Sequence, residues 1–386
     1  RVAAELDCRQ SFRLQDVGVF FGEPEKTVAD PYFEGRGPAR SGCRFCGGCM
    51  VGCRYNAKNT LVKNYLYLAE QLGVQVFAET RASLIRMGPA GGYDVETTRS
   101  TAWLATGRQR TFHARRLVLA AGVLGTLTLL MRCREKGTLP NLSPQLGCRV
   151  RTNSESLTGA TAKSRRVDYS RGVAITSSIF VDDVTHIEPV RFPAGSDLLG
   201  LLATRLTDPG PVMIRPLKWA AGLLRHPVQS LRLMWPFGWA RRTIILLVMQ
   251  TLDNSVRVRR RRRWFWPFQP LLVSEAEAGR KKVPVCIPQA QDATRVLAGQ
   301  IDGFPRNTLN EVLLDMGTTA HVLGGCVIGP DPDQGVIDLC NEAYGHEGLY
   351  IVDGSMIPAN LGVNPSLTIT ALAEHAMSRI PPKRKD

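Results

Sequence analysis

The chain has 386 residues, 44% of them hydrophobic, which is long enough for a large core shared between two interwoven domains. Its formal net charge of +15 favours anionic partners, a phospholipid surface or nucleic acid, without choosing between them. Ten cysteines are too sparse for a disulfide scaffold, no N-terminal signal segment is visible, and the apolar run Ile244–Met249 is too short for a spanning helix, so a reduced, cytoplasmic setting is expected.

In chain order, Asp16–Phe21 reads as a strand followed by a Gly- and Pro-rich loop. Next comes Cys43-x-x-Cys46-x-x-Cys49-x-x-x-Cys53, the spacing with which bacterial ferredoxins hold an iron-sulfur cluster. It departs from that pattern, because Arg54 stands where Pro is usual and no second run is present. Four thiolates also suit tetrahedral zinc, and a loop packing small soft side chains is a third reading. Asn56 then opens an amphipathic helix to about Leu72, with Leu61, Tyr65, Leu68, Ala69 and Leu72 on one face. Val74–Ala78 and Ala82–Met87 read as strands. Arg116–Leu119 reads as a buried parallel strand feeding a helix through the turn at Gly122.

From Arg151 to Asn310 a large-sheet domain is expected, with Gly172–Val181 and Ile245–Thr251 as strands. Between them, Pro193-Ala194-Gly195-Ser196-Asp197 is a loop bearing one acid. Pro211–Arg241 interleaves Leu, Trp and Phe with Lys218, Arg225, Arg232 and Arg241, a composition that suits either a membrane interface or a core-covering helix with a basic outer face. Arg257–Arg263 places six Arg in seven positions ahead of Trp264-Phe265-Trp266. A solvated hairpin loop is expected there, and since no nucleic-acid module surrounds it, no specific nucleic acid partner is expected.

The stretch His321–His375 carries the most information. It reads H-V-L-G-G-C, then G-L-Y-I-V-D-G-S, then L-G-V-N-P-S-L-T-I-T-A-L-A-E-H. Leu349–Val352 suits a buried strand ending in a turn at Asp353-Gly354-Ser355. Ser366–Ala376 has helical spacing behind Pro365, so its free backbone donors suit an anionic or electron-rich group.

These three spaced motifs resemble the C-terminal signature of the glucose-methanol-choline family of FAD-dependent oxidoreductases, within it the cholesterol oxidase-like branch. N-A-K-N-T-L-V-K-N-Y-L from Asn56 and G-T-L-P-N-L from Gly137 resemble the same branch. The resemblance implies an α/β fold in which an incomplete Rossmann-like FAD-binding domain is interwoven with an α+β large-sheet substrate domain. The expected divisions are 1–150 for the partial FAD domain with its Cys-rich loop, 151–310 for the substrate domain, and 311–386 for the segment completing the FAD domain and active site.

By the same resemblance His321 and Asn364 flank the flavin over the substrate carbinol. Asp353, Gly354, Pro365 and Ser366 would follow the flavin and its ribityl chain, Gly122 would let the backbone pass close to the cofactor, and the backbone near Ala82 would meet the adenine. Asp197 would stand for a catalytic Glu, one methylene shorter.

The implied activity is oxidation of a hydrophobic secondary alcohol such as a 3β-hydroxysteroid, with oxygen or another electron acceptor, peripheral membrane contact, and isomerisation of a 3-keto-5-ene if Asp197 carries protons. The family also calls for a G-x-G-x-x-G turn, which this sequence does not contain. The expectation is therefore a fragment lacking an N-terminal dinucleotide half, binding FAD poorly by itself. Two other readings stay open: a dehydrogenase of another hydrophobic alcohol that passes electrons to a carrier, favoured by an iron-sulfur cluster at Cys43–Cys53, and a non-catalytic basic protein that binds membrane surfaces.

Overall fold

The computed structural model describes residues 1–101, 110–211, 213–264 and 266–382. It is a mixed α/β structure, as expected, and its chain passes between two compact units. One comprises Arg1–Val76, Glu155–Met249 and Pro284–Thr318; the other comprises Phe77–Ser154, Gln250–Val283 and Thr319–Asp386. The crossings between units therefore fall after Val76, Ser154, Met249, Val283 and Thr318, whereas the expected junctions lay near 150 and 310.

The first unit is built on a seven-stranded sheet ordered Arg13–Leu14, Ser177–Phe180, Thr185–Val190, Thr243–Gln250, Ser156–Ala162, Gly303–Thr308, Ala203–Arg205. Thr243–Gln250 shows why both faces are covered. Successive side chains of a strand point to opposite faces. Leu246 and Val248 pack with Ala290, Ala293 and Leu297 of helix Pro288–Gln300. Leu247 and Met249 pack on the other side with Val190, Leu157 and Phe192.

In the second unit, strand Leu117–Leu119 pairs in parallel with Leu349–Ile351. Gly122 turns the first strand into helix Gly122–Glu135 at a φ of +68°, a conformation that costs glycine little. The helix buries Val123, Leu127 and Leu130 at helical spacing. It ends where Gly137 takes a φ of +68° and the Thr138 N–H returns to the Cys133 carbonyl, 3.0 Å. A three-stranded antiparallel sheet, Thr80–Met87, Tyr93–Arg99 and Arg110–Ala114, flanks this core. Helix Ser366–Arg379 is the last helix of the described residues.

Several expected elements differ. Asp16–Phe21 is no strand: its backbone runs in irregular pairings, Phe20 N–H to the Ala57 carbonyl and Cys43 N–H to that of Phe20. The helix expected from Asn56 begins only at Tyr65, where the Asn64 side chain accepts the Tyr65 N–H at 2.6 Å, and none of its residues is buried. Val74–Ala78 forms no strand. The arginine run is itself a strand, Val256–Arg263, paired with Trp266–Ala276, because Val258 is anchored in the core while Arg261 and Arg259 reach Glu275 across the pair. Phe265 lies outside the described residues. Among the described residues no helix is long and apolar enough to cross a membrane.

Candidate active site

The motifs of the last quarter of the chain meet in the second unit. A Cβ on Gly354 would stand 3.3 Å from Ile369 of helix 366–379, 3.4 Å from Val123 of helix 122–135 and 3.5 Å from Leu323. Both helices and the H-V-L-G-G segment thus converge on the turn that ends strand 349–351. Two backbone bonds hold the segment there, Gly324 N–H to the Gly354 carbonyl and Cys326 N–H to that of Ser355, each 3.0 Å. The buried Asp353 fixes the turn itself. One carboxylate oxygen accepts the Ser355 N–H (2.8 Å) and hydroxyl (2.6 Å), and the other accepts the Thr126 hydroxyl from helix 122–135 (2.6 Å).

His321 and Asn364 are referred to neighbouring residues of one buried segment. The His321 N–H donates to the Thr319 hydroxyl, which donates to the Thr152 carbonyl (3.0 and 2.9 Å). Next to Thr152, the Asn153 side chain grips the loop that carries Asn364. Its amide donates to the Val363 carbonyl at 2.9 Å and its oxygen accepts the Gly362 N–H at 2.7 Å. The Asn153 N–H donates to Asn360, whose amide reaches the Leu252 carbonyl at 2.7 Å. Asn153 and Ser154 are both fully buried at positive φ, +59° and +46°, a pair of left-handed residues that such a network holds in place.

Sequence reasoning missed Asn153, Asn360 and Thr126. The available signal was a run of three small polar residues, Thr152-Asn153-Ser154. Asn153→Asp, nearly isosteric, would turn the donor toward Val363 into an acceptor. It should cost about 1–3 kcal/mol of stability in chemical denaturation, and raise KM or lower kcat beyond what the unfolded fraction accounts for.

Several features of this unit suit the close approach of part of a flavin cofactor. No heavy atom lies within 4 Å of where a Gly122 Cβ would stand, so the backbone at the strand end is open to close approach. Ala120, Ala121 and Ser366 are exposed, and neither helix 122–135 nor helix 366–379 has a side-chain cap at its start, which leaves backbone donors for an anion or a ring edge. Asn364 is half-buried ahead of the buried Pro365. Ala82 is exposed on the edge sheet, paired with Thr97.

The other expected residues belong to the first unit. Both Asp197 oxygens accept backbone N–H groups, from Gly238 and Ala240 at 2.9 Å each, capping the short helix Trp239–Arg242. The four clustered cysteines do not form a ligand set: among the described residues no group of three or more His, Cys, Asp or Glu is arranged to hold a metal ion. Cys43 packs with Val19, Ala57 and Val173, Cys49 and Cys53 pack against the same apolar cluster, and Cys46 is exposed. Burial raises the Cys43 thiol. It also raises Cys53, but there the backbone donors of Lys58, Ala57 and Tyr55 and the charge of Lys63 prevail and hold it below the usual thiol range.

An apolar cavity of about 190 Å³ lies against the large sheet, walled by Leu157, Phe192, Leu202 and Ile245 with Arg306 and Asn307 among its polar residues. Arg306 is held by the Ala203 and Leu233 carbonyls (2.7 and 3.0 Å), and burial, with Arg242 nearby, lowers it to about 10. Trp239 Nε1 and Asn307 Oδ1, of two cavity-lining residues, are buried without a hydrogen-bond partner among the described residues.

The chain belongs to the GMC oxidoreductase family: family models of that description match residues 38–148 and 257–373. This is a family of FAD-dependent oxidoreductases that act on CH–OH donors. The chain is 47% identical over 382 residues to a cholesterol oxidase of Acinetobacter baumannii, covering 97% of this chain and 68% of that one. It is 46% identical over 398 residues to a cholesterol oxidase of Mycobacterium tuberculosis, covering 99% and 67%. Among solved structures, pyridoxine 4-oxidase from Mesorbium loti superposes with a TM-score of 0.52 at 15% identity, over 85% of this chain and 62% of that one. Formate oxidase does so with a TM-score of 0.52 at 14% identity, over 82% and 62%. At these identities the structural likeness speaks for the fold alone.

Proposed function

We propose that this chain serves the FAD-dependent oxidation of a hydrophobic secondary alcohol, a 3β-hydroxysteroid such as cholesterol, to its ketone. The observation that carries the reading is the attachment of the His321 and Asn364 segments to adjacent residues, Thr152 and Asn153, in the unit with the open strand end. The cholesterol oxidase relatives support the substrate class, and the word oxidase in their names favours oxygen over a separate carrier as acceptor.

Gly122, Gly354, Pro365 and Ser366 would hold FAD, with the backbone at Ala82 toward its adenine and Asp353 fixing the turn beside it. Bound FAD would supply the acceptor for the carbinol hydride. His321 would orient the substrate hydroxyl and take its proton, a task that suits imidazole near neutral pH. Asn364 would hydrogen-bond the same oxygen and fix its direction. The apolar cavity has the wall chemistry for a steroid-like body. Isomerisation of the 3-keto-5-ene would call on Asp197 to release at least one of its two backbone donors. A substrate dissolved in lipid also implies contact with a membrane surface.

The test is peroxide formation by protein from the complete reading frame, given a 3β-hydroxysteroid, its 3α epimer and a long-chain primary alcohol. Turnover confined to the 3β alcohol is expected. Equal turnover of all three, or of the primary alcohol alone, would contradict the substrate class. The ultraviolet absorbance of the product reports whether the conjugated enone forms.

A further inference from the structure

A second cavity, of about 450 Å³, opens in the first unit beneath helix Pro227–Met234. Four cationic residues line it: Lys163, Arg165, Arg232 and Arg242. Two are engaged, Lys163 with Asp302 at 2.5 Å and Arg242 with the Gly238 carbonyl at 3.2 Å. Arg165 and Arg232, both exposed, have no hydrogen-bond or ion-pair partner among the described residues. No carboxylate is among the residues that line the cavity, and Asp302 engages only Lys163. Burial, then the charge of Arg165, lower Arg242, as crowded cations require.

The rim is of the opposite character. Leu231 and Trp235 line the cavity and are nonetheless 72% and 56% exposed. Phe237, with its ring 5.2 Å from that of Trp235, is 67% exposed. Along helices Ile214–Arg225 and Pro227–Met234, Leu217, Leu224 and Val228 are also turned to solvent. A protein surface rarely gathers so many large apolar groups, and cations bordered by exposed Trp, Phe and Leu match the layering of a lipid leaflet.

We infer that this face docks on an anionic phospholipid surface, with a lipid headgroup phosphate seated among Lys163, Arg165, Arg232 and Arg242 and the Leu231, Trp235 and Phe237 side chains entering the acyl boundary. The site deepens the membrane contact proposed above, and it is read by binding alone, so failure of the oxidation reading leaves it standing or falling separately.

The experiment is sedimentation of the full chain with vesicles of phosphatidylcholine alone and of phosphatidylcholine with phosphatidylglycerol. Binding is expected to the second and weakly or not at all to the first. Arg165→Gln with Arg232→Gln removes no hydrogen bond or ion pair among the described residues, so the fold should be kept, and should weaken binding roughly thirtyfold, the order expected when two cations leave a lipid surface. Trp235→Ala should weaken it while leaving its salt dependence intact. Arg261→Gln with Arg262→Gln, on the hairpin of the second unit, is the control for the general charge of the chain. If the hairpin pair weakens binding as much as the cavity pair, or the cavity pair leaves it unchanged, or glycerol 3-phosphate binds the cavity while vesicles of either kind do not, the inference is overturned.

Discussion

Replacing His321 with alanine should lower kcat with a 3β-hydroxysteroid by about 10²–10⁴, the range that a positioned general base contributes. FAD content and thermal stability should be little changed. The reason lies in how the residue is held. The His321 backbone is fixed by Thr319 and the following Leu323 pairs with Arg151, so removing the imidazole leaves the segment in place. The loss should fall on kcat more than on KM, because the hydroxyl proton is handled in the reacting complex rather than in forming it. Asn364→Ala should also reduce kcat, and by less, since an amide orients without taking a proton. Stopped-flow and steady-state rates on the two variants, with flavin absorbance as the control, check this. A His321→Ala enzyme with unchanged kcat would remove the residue from the chemistry.

Replacing Arg215, a buried residue of helix Ile214–Arg225, with methionine should destabilise the first unit by about 3–5 kcal/mol. Arg215 and Glu311 form an ion pair at 2.8 Å with side chains 2% and 3% exposed. The carboxylate also receives the Ser156 hydroxyl and the Asn307 amide, at 3.3 and 3.4 Å, and Asn307 lines the apolar cavity. Removing one partner leaves the other charge buried and uncompensated. Burial already raises the Glu311 carboxyl against the pull of Arg215, and without Arg215 it rises further. An acid whose folded pKa exceeds its unfolded value contributes stability below the unfolded value and loses it as pH climbs through the folded one. Arg215→Met should therefore be least stable at alkaline pH, and Arg215→Met with Glu311→Leu should recover much of the loss. Denaturant midpoints across pH measure both. A variant insensitive to pH, or a double variant worse than the single, would contradict the account.

What could be read from the sequence was what local pattern encodes. Leu117–Leu119, the turn at Gly122, Leu349–Ile351 and helix 366–379 all carry their own periodicity and punctuation, and the structure has them. Three spaced motifs agreeing in order also gave the family. Asp16–Phe21 misled because an apolar run beside glycines satisfies its backbone through isolated long-range bonds, to Ala57 and from Cys43, which no local pattern announces. The arginine run looked like a loop because charge hid a strand that Val258, with Val256 packed against the same core, anchors. The cysteine spacing matched a cluster-binding run, yet among the described residues no group of three or more His, Cys, Asp or Glu is arranged to hold a metal ion, and spacing alone does not report that. Asn153 and Arg215 were invisible for a related reason: their partners, Val363 and Glu311, are far along the chain, so only the folded molecule gives these polar side chains a role.

The most direct test of the central claim is the absorption spectrum of protein from the complete reading frame, recorded without oxygen before and after a 3β-hydroxysteroid is added. Flavin bands that bleach on addition, and return when air is admitted, are the predicted result. A protein with no flavin bands, or with bands that the steroid leaves untouched while another alcohol bleaches them, would contradict it.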